Sequence, residues 1–228
     1  MPAEPADEPR PFFPAFIDLR GKLCLVVGGG EVAARKARSL LAAGARLRVV
    51  APELSQQMSA LAANCEVTCA PRHYAEGDLD GTLLVFAATD DADVNAAVYR
   101  DATARGLLVN VVDDPAHCTF IVPSQVVRDG IRIAISTQGQ SPALAKRLRE
   151  KIEAAIPPAY GKLAALMGRL RAEVRKSVPS LGERSERWQA VLDSDVLSLI
   201  EQQRLAEAEA LARNILGLPA DAGAAPRR

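Results

Sequence analysis

The stretch LVVGGGEVAARK, residues 25–36, holds the first residue pattern that can do chemistry. An apolar run typical of a buried strand leads into Gly28-x-Gly30-x-x-Ala33, and a helical pattern follows. In this setting Gly28 permits a tight turn, Gly30 lets the backbone approach a pyrophosphate, and Ala33 allows close packing of helix on strand. We therefore predict a dinucleotide site at this turn, with a purely structural turn as the alternative.

Two cations occupy the first turns of the same predicted helix. Arg35 and Lys36 lie near its N-terminus, where the helix macrodipole disfavours positive charge. The negative charge of a bound pyrophosphate can offset that cost. Either side chain can alternatively reach outward to an anionic substrate, and the residues alone leave both explanations open.

The end of the predicted second strand bears on the choice of cofactor. This strand ends near Ala51, and the first acidic residue after it is Glu53, beyond Pro52. Glu53 either accepts a hydrogen bond from a ribose 2′-hydroxyl or lies in the first turn of the next helix. No arginine stands at the strand end to receive a 2′-phosphate, although Arg48 is nearby, so we predict NAD rather than NADP.

Polar residues also follow two later apolar runs, at AATDD (87–91) and VNVVDD (109–114). Because ligands of open α/β sheets lie outside the carboxyl ends of the strands, these residues should line the site. Thr89 and Asp90 can also cap the next helix, whereas Asp113 has no helix to cap and is left as an unexplained carboxylate at a strand end. The predicted cofactor-binding residues are Gly28, Gly30, Glu31, Val32, Pro52, Glu53, Thr89, Asp90, Asn110 and Val112.

Several other functional classes are disfavoured. The chain has no Tyr-x-x-x-Lys, G-x-S-x-G, Walker A or H-E-x-x-H pattern, and its two histidines, His73 and His117, exclude a multi-histidine metal site. Lys plus Arg and Asp plus Glu both total 28, so no charge imbalance favours nucleic acid or membrane partners. The four cysteines, Cys24, Cys65, Cys69 and Cys118, fit no disulfide framework or zinc spacing. We expect a cytoplasmic protein with reduced thiols, no resident metal and no membrane span.

The order of elements predicts an α/β fold with a Rossmann-like parallel sheet domain. Five short apolar runs alternate with helical patterns up to about residue 114; they are Leu23–Val27, Leu47–Ala51, Glu66–Cys69, Leu83–Ala88 and Leu107–Val112. An Asp-Gly hairpin signal and a helix capped by Ser141 form a small α+β unit, and helical patterns follow. We predict a disordered lead-in at 1–12, the Rossmann domain at 13–114, the small unit at 115–153 and a helical C-terminal domain at 154–228.

The helix after Ser141 is rich in cations, among them Lys146 and Arg147. We expect Leu144, Leu148 and Ile152 to form its buried stripe, which leaves the cations facing solvent or a cleft. Such a run is usually a solvated surface, and a polyanionic ligand is the alternative.

Four ordered motifs resemble the precorrin-2 dehydrogenase/sirohydrochlorin ferrochelatase family, in its stand-alone siroheme synthase form. They are GGGEVAARKARSLLAAGA (28–45), AATDDADVN (87–95), NVVDDPAHCTFIVPS (110–124) and SPALAKRLREKIE (141–153). The resemblance extends over about residues 13–216. It implies NAD-dependent oxidation of precorrin-2 to sirohydrochlorin and, in bifunctional members, insertion of ferrous iron as a substrate to give sirohaem.

The resemblance also implies roles for particular residues. The family's essential aspartate corresponds to Asp113, and its tetrapyrrole-contacting loop corresponds to STQGQSP at 136–142, with Gln138 where a second glycine is usual. The implied substrate-binding residues are Ser136, Thr137, Ser141, Lys146 and Arg147, the last two as partners of substrate carboxylates. A homodimer formed largely through the 115–153 unit, with the site shared between domains, is implied as well.

Three functions remain open at this stage. The first is the bifunctional enzyme, the second a dehydrogenase without chelatase activity, and the third a non-catalytic NAD-sensing module. The first two both use Asp113, so the sequence does not separate them, whereas the presence of Asp113 argues against the third.

Overall fold

The computed structural model describes residues 11–64 and 67–220, which form two compact units divided between Val122 and Pro123. The predicted lead-in therefore falls mostly outside the described residues, as do Cys65, Glu66 and the last eight residues. Within the described residues no helix is long and apolar enough to cross a membrane.

The first unit is built on a parallel five-stranded sheet with strand order β3-β2-β1-β4-β5. Its strands are β1 (Leu23–Val27), β2 (Arg46–Val50), β3 (Val67–Ala70), β4 (Thr82–Ala87) and β5 (Leu108–Val111). All four pairings are parallel, so every strand ends at the same edge of the sheet. The strands are apolar runs because both faces of the sheet are covered. The predicted α/β Rossmann-like class is confirmed.

Three helices cover this sheet: α1 (Glu31–Ala42), α2 (Gln56–Asn64) and α3 (Ala92–Ala104). Alternate residues of each strand point to opposite faces, so Cys24 and Val26 of β1 pack in one apolar cluster and Leu25 and Val27 in another. These two layers hold the carboxyl ends of the strands in fixed positions.

Two expectations about helix starts need correction. Glu53 does not lie in the first turn of a helix, because α2 begins only at Gln56. Asp91, rather than Thr89 or Asp90, caps α3: its carboxylate accepts hydrogen bonds from the N–H groups of Asp93 and Val94, at 2.9 and 3.1 Å.

The second unit begins with an antiparallel hairpin of β6 (Ser124–Arg128) and β7 (Ile131–Ile135), joined at Asp129-Gly130 as the sequence predicts. Five helices follow: α4 (Pro142–Ala155), α5 (Ala159–Ser177), α6 (Leu181–Leu192), α7 (Val196–Glu201) and α8 (Leu205–Leu216). Helices α5 to α8 share one apolar core, which includes Leu163, Leu170 and Leu216.

The expected buried stripe of α4 is wrong in part. Leu144 is 50% exposed and Leu148 is 37% exposed, whereas the small Ala145 is buried. The helix is amphipathic as the pattern indicates, but this apolar face is not covered by the described residues of the chain.

Candidate dinucleotide site

A cavity of about 530 Å³ lies at the carboxyl edge of the parallel sheet. The loops after β1, β2 and β4 line it, together with His73 and Tyr74 after β3. Eight of the ten predicted cofactor-binding residues meet here: Gly28, Gly30, Glu31, Val32, Pro52, Glu53, Thr89 and Asp90. The cavity therefore occupies the place where open α/β sheets bind their ligands.

The three glycines at the start of α1 have different physical roles. Gly28 is buried with φ +124°, and a Cβ there would collide with the carbonyl oxygen of Ala88. A Cβ on Gly29 would collide with the carbonyl oxygen of Glu53. Gly30 is exposed, and a Cβ on it would meet nothing within 4 Å. Gly28 and Gly29 are thus required by the fold, whereas Gly30 keeps open space on the ligand side.

The beginning of α1 can receive an anion. Gly30 has extended backbone at the N-cap and supplies no capping side chain. Among the described residues, the N–H groups of Glu31 and Val32 have no hydrogen-bond partner. Unpaired first-turn N–H groups and the macrodipole together suit a phosphate. The residues present therefore fit the pyrophosphate of a dinucleotide.

On the side of the cavity formed by the loop after β2, the described lining includes the carboxylate of Glu53 and no arginine or lysine. Glu53 is exposed and lines the cavity beside Pro52. Arg48 is held elsewhere, since its guanidinium donates to the carbonyl oxygens of Asp78 (2.7 Å) and Asp80 (3.3 Å). A carboxylate suits a ribose hydroxyl and repels a 2′-phosphate, so this geometry favours NAD.

The end of β4 is fixed by a small polar network. The Thr89 hydroxyl lies 2.8 Å from Asn95 Oδ1 and 3.0 Å from the carbonyl oxygen of Asp91. The Asn95 amide donates back to the Thr89 carbonyl oxygen at 2.9 Å. Sequence reasoning did not assign Asn95 to the site. Its position in the first turn of α3, close after the polar residues that end β4, is the signal that could have identified it.

Asp113 is exposed in the turn that follows β5 and does not line the cavity. Its φ of +61° lies in the left-handed region, which is uncommon for residues other than glycine, asparagine and aspartate. The neighbouring Asp114 carboxylate is paired with His117 Nδ1 at 2.6 Å, and the His117 ring packs edge-on against Tyr99. Of these two acids, Asp113 is therefore the more exposed, and Asp114 is the one paired with His117.

Asn110 and Val112 also lie outside the cavity lining. Asn110 is buried, and its amide donates to Cys118 Sγ (3.3 Å) and to the carbonyl oxygen of Phe120 (3.0 Å). The Val112 N–H donates to the Ala87 carbonyl oxygen at 2.9 Å, which extends the pairing of β5 with β4. Both residues serve internal contacts in the described structure.

The two cations of α1 have separate environments. Arg35 is exposed, whereas Lys36 is half-buried with its Nζ 5.3 Å from the centre of the Phe86 ring. Burial, and secondly the charge of Arg35, lower the pKa of Lys36 below its ordinary value, and the charge of Asp113 opposes this shift. Lys36 therefore lies on the Asp113 side of the sheet edge, with its amine over the Phe86 ring.

The predicted substrate residues lie in the second unit. The Thr137 hydroxyl lies 3.1 Å from both the Ser141 N–H nitrogen and its carbonyl oxygen, and the Ser136 hydroxyl accepts from the Gln138 N–H at 2.9 Å. Gln138 has φ +53°. A glycine at position 138 would adopt this backbone without strain, so the loop keeps a glycine-like turn despite the departure in sequence. Lys146 and Arg147 are exposed on α4.

Three family models match consecutive parts of the chain. The NAD(P)-binding model matches residues 15–124, the sirohaem biosynthesis protein central model residues 128–155, and the sirohaem synthase dimerisation region residues 159–216. The chain belongs to the siroheme synthase family. The dimerisation model falls on α5 to α8, C-terminal to the 115–153 unit in which sequence analysis placed most of the dimer contact.

Curated relatives in the siroheme synthase family align over most of the chain. The siroheme synthase of Azotobacter vinelandii is 43% identical over 216 residues, which are 95% of this chain and 46% of that protein. Those of Pseudomonas aeruginosa strain LESB58 and Chromobacterium violaceum are 46% identical over 88% and 83% of this chain. The chain spans less than half the length of these relatives, at 46%, 43% and 40%.

A solved structure of a precorrin-2 dehydrogenase shares the fold. The precorrin-2 dehydrogenase SirC superposes with a TM-score of 0.74 at 26% identity, covering 87% of this chain and 98% of that one. This likeness and the NAD(P)-binding match together confirm that the first unit binds a nicotinamide dinucleotide. Among the described residues there is no group of three or more His, Cys, Asp or Glu that could hold a metal ion.

Proposed function

We propose that this protein catalyses the NAD-dependent oxidation of precorrin-2 to sirohydrochlorin. One observation carries the proposal: a dinucleotide-binding edge and an exposed aspartate displayed at the next strand end occur together in a siroheme synthase family chain. A dinucleotide fold alone would not support an activity, because many unrelated functions share it. Asp113 supplies the chemical group that a binding module would not need.

We assign the cofactor contacts to the eight cavity-lining residues. The α1 N-terminus binds the pyrophosphate, and Gly30 allows its close approach. The Glu53 carboxylate accepts a hydrogen bond from a ribose hydroxyl. Bound NAD supplies the hydride acceptor of the reaction. Thr89 and Asp90, at the end of β4, lie toward the nicotinamide half of the cofactor.

Asp113 acts as the base in this assignment. Oxidation of precorrin-2 removes a hydride from one carbon and a proton from a neighbouring atom, and the carboxylate of Asp113 accepts that proton. Its exposure leaves it accessible to a large substrate. The overall reaction then yields sirohydrochlorin, NADH and one proton.

The direct test is an anaerobic assay with purified protein, precorrin-2 and NAD, followed by the absorbance of NADH and of sirohydrochlorin. We expect both products to appear together and only when NAD is present. Absence of any NAD-dependent change would contradict the proposal. Asp113→Asn should keep NAD binding and lose turnover, which separates the base from the cofactor site.

Ferrous iron insertion is the second candidate activity. It is supported by the siroheme synthase relatives and by Asp113, which can accept a pyrrole N–H proton as the metal enters. The dehydrogenase-only alternative uses the same residue. Adding ferrous or cobaltous ion after the oxidation step decides between them: metal uptake faster than a protein-free control supports the bifunctional enzyme, and uptake at the control rate supports the dehydrogenase alone.

We assign substrate carboxylate binding to Ser136, Thr137, Ser141, Lys146 and Arg147. Exposed cations on α4 suit a carboxylate-rich tetrapyrrole. Lys146→Gln and Arg147→Gln should raise KM for precorrin-2 and leave the NAD dissociation constant unchanged. Arg149→Gln is the matched control, because Arg149 lies on the same helix but pairs with Glu153.

A homodimer in the cytoplasm completes the proposal. The dimerisation-region match supports self-association, and the exposed Leu144 and Leu148 of α4 support a contribution from the 115–153 unit. Cys24, Cys69 and Cys118 form no disulfide within the described part of the chain, which fits a reducing compartment. If α4 is in the interface, the double variant Leu144→Asp with Leu148→Asp should sediment as a monomer. If only the dimerisation region is in the interface, Leu205→Asp on α8 should sediment as a monomer instead.

A further inference from the structure

The backbone that carries Asp113 is a turn in the left-handed region, which aspartate adopts more readily than most residues but less readily than glycine. The Asp114 N–H donates to the Val111 carbonyl oxygen at 3.3 Å, and Asp113 lies between them with φ +61°. A side chain in this region is less favourable than glycine. Contacts from outside the turn therefore help to hold it in one conformation.

Cys118 supplies such contacts on both sides of Asp113. Its side chain is buried, and its Sγ lies 3.3 Å from the Val111 carbonyl oxygen and 3.2 Å from the Asp114 carbonyl oxygen. One S–H proton can donate to either acceptor or be shared between them. The thiol thus contacts one carbonyl group two residues before the residue proposed as the base and one carbonyl group one residue after it.

Asn110 donates a hydrogen bond to the same thiol. One amide hydrogen of Asn110 donates to Cys118 Sγ at 3.3 Å, and the other donates to the Phe120 carbonyl oxygen at 3.0 Å. Val109 and Thr119 add two further hydrogen bonds of 2.8 Å between β5 and this segment. We call the Asn110 and Cys118 side chains, with their four contacts, the Asn110–Cys118 clasp.

We propose that the Asn110–Cys118 clasp is a positioning device that holds the Asp113 carboxylate in place for proton transfer. The inference rests on the proposed role of Asp113 as the base. It gives a polar role to Asn110, whose amide is turned into the protein rather than toward the cavity. Neither Asn110 nor Cys118 contacts substrate in this role, so both act through the backbone of Asp113.

The kinetic test compares three variants in the full-length protein. Cys118→Ala removes the thiol contacts, Cys118→Ser restores a donor and acceptor, and Cys24→Ala removes another buried thiol of the same unit that lies in β1. We expect Cys118→Ala to lower kcat about ten- to a hundred-fold, with KM and NAD affinity within about two-fold, because small misplacements of a reacting group are costly. Cys118→Ser should recover most of kcat, and Cys24→Ala should retain it.

A second measurement tests the clasp without turnover. In amide NMR spectra of the NAD-bound protein, Cys118→Ala should shift or broaden the Asp113 and Asp114 resonances, and Cys118→Ser should return them toward the wild-type positions. Resonances of α1 should stay in place in all three variants. This readout stands even if the wild-type protein fails to oxidise precorrin-2, so failure of the proposed function and failure of the clasp are distinguishable.

Three results would overturn the clasp. The first is a wild-type kcat together with unchanged Asp113 resonances in Cys118→Ala. The second is a Cys118→Ser variant as slow as Cys118→Ala, which would point to packing volume rather than hydrogen bonds. The third is an equal loss of kcat in Cys24→Ala, which would point to general destabilisation.

Discussion

At the scale of single residues, the glycine turn separates requirements of the fold from requirements of the ligand. Gly28 and Gly29 have no room for a Cβ, whereas Gly30 faces open space. The sequence pattern assigns Gly28 and Gly30 to the dinucleotide but gives no sign that Gly29 is equally constrained. Its restriction comes from the Glu53 carbonyl group, a contact distant in sequence that a local pattern does not contain.

This difference predicts opposite effects for two alanine substitutions. Gly30→Ala should leave the free energy of unfolding nearly unchanged but raise the NAD dissociation constant about ten-fold or more, because the methyl group occupies the space of the pyrophosphate. Gly29→Ala should destabilise the protein by about 1–3 kcal/mol through overpacking. Thermal unfolding and isothermal titration with NAD measure the two effects, and a stable Gly29→Ala variant would contradict the assignment.

At position 113 we predict that a substitution can remove activity without lowering the free energy of unfolding. Asp113→Gly should abolish turnover yet keep or raise the free energy of unfolding, by up to about 0.5 kcal/mol, since glycine adopts positive φ more readily. Asp113→Ala, which cannot relax the backbone, should lose both activity and some stability. If Asp113→Gly unfolds more readily than Asp113→Ala, the left-handed conformation does not govern stability here.

Lys36 predicts a pH-dependent change in stability. Its pKa is lowered by burial, so the folded protein holds the charged amine less favourably than the unfolded chain does. Lys36→Met should therefore raise the free energy of unfolding at neutral pH. The gain should shrink as pH rises through the lowered pKa of Lys36 toward the ordinary lysine value, because the folded state then loses the proton first.

Arg38→Gln is the control for this experiment, since Arg38 is exposed on the same helix and does not contribute to the lowered pKa of Lys36. It should change stability little and should not reproduce the pH dependence. Urea unfolding at a series of pH values from neutral to alkaline provides the measurement. A gain for Lys36→Met that stays constant across this range would remove burial of the charge as its cause.

At the scale of elements, hydrophobic periodicity predicts the parallel sheet well, and capping predicts its connections less well. The apolar runs identify β1 and β4 most clearly, because burial on both faces imposes a nearly unbroken apolar sequence there, whereas no residue of the edge strand β3 is buried. The choice among Thr89, Asp90 and Asp91 as the cap depends on where the chain turns into α3, which three consecutive polar residues do not specify. The exposed leucines of α4 were mistaken for core because a pattern shows amphipathicity but not what covers it.

The cap of α3 can be tested with neighbouring aspartates. Asp91→Ala should destabilise the protein by about 1 kcal/mol, because the first-turn N–H groups of α3 lose their acceptor. Asp90→Ala should leave stability within about 0.5 kcal/mol, as expected for a surface position, and should weaken NAD binding instead. Equal destabilisation by both would show that the two acids share the cap.

At the scale of the whole molecule, the candidate residues divide between the two units. Asp113 and the cofactor residues lie in the first unit, and the proposed substrate residues lie in the second. The sequence identifies both sets through ordered motifs, yet periodicity and spacing alone do not say that Asn110 turns inward to Cys118. That outcome depends on side-chain hydrogen bonds within a loop, which have no periodic signal.

All residues that line the dinucleotide cavity lie between Val27 and Val94 of a single chain. We therefore predict that NAD binding does not depend on association of the chain. Titrations of NAD carried out at widely different protein concentrations should superimpose, even where dilution changes the state of association, and a dissociation constant that rises on dilution would contradict this prediction.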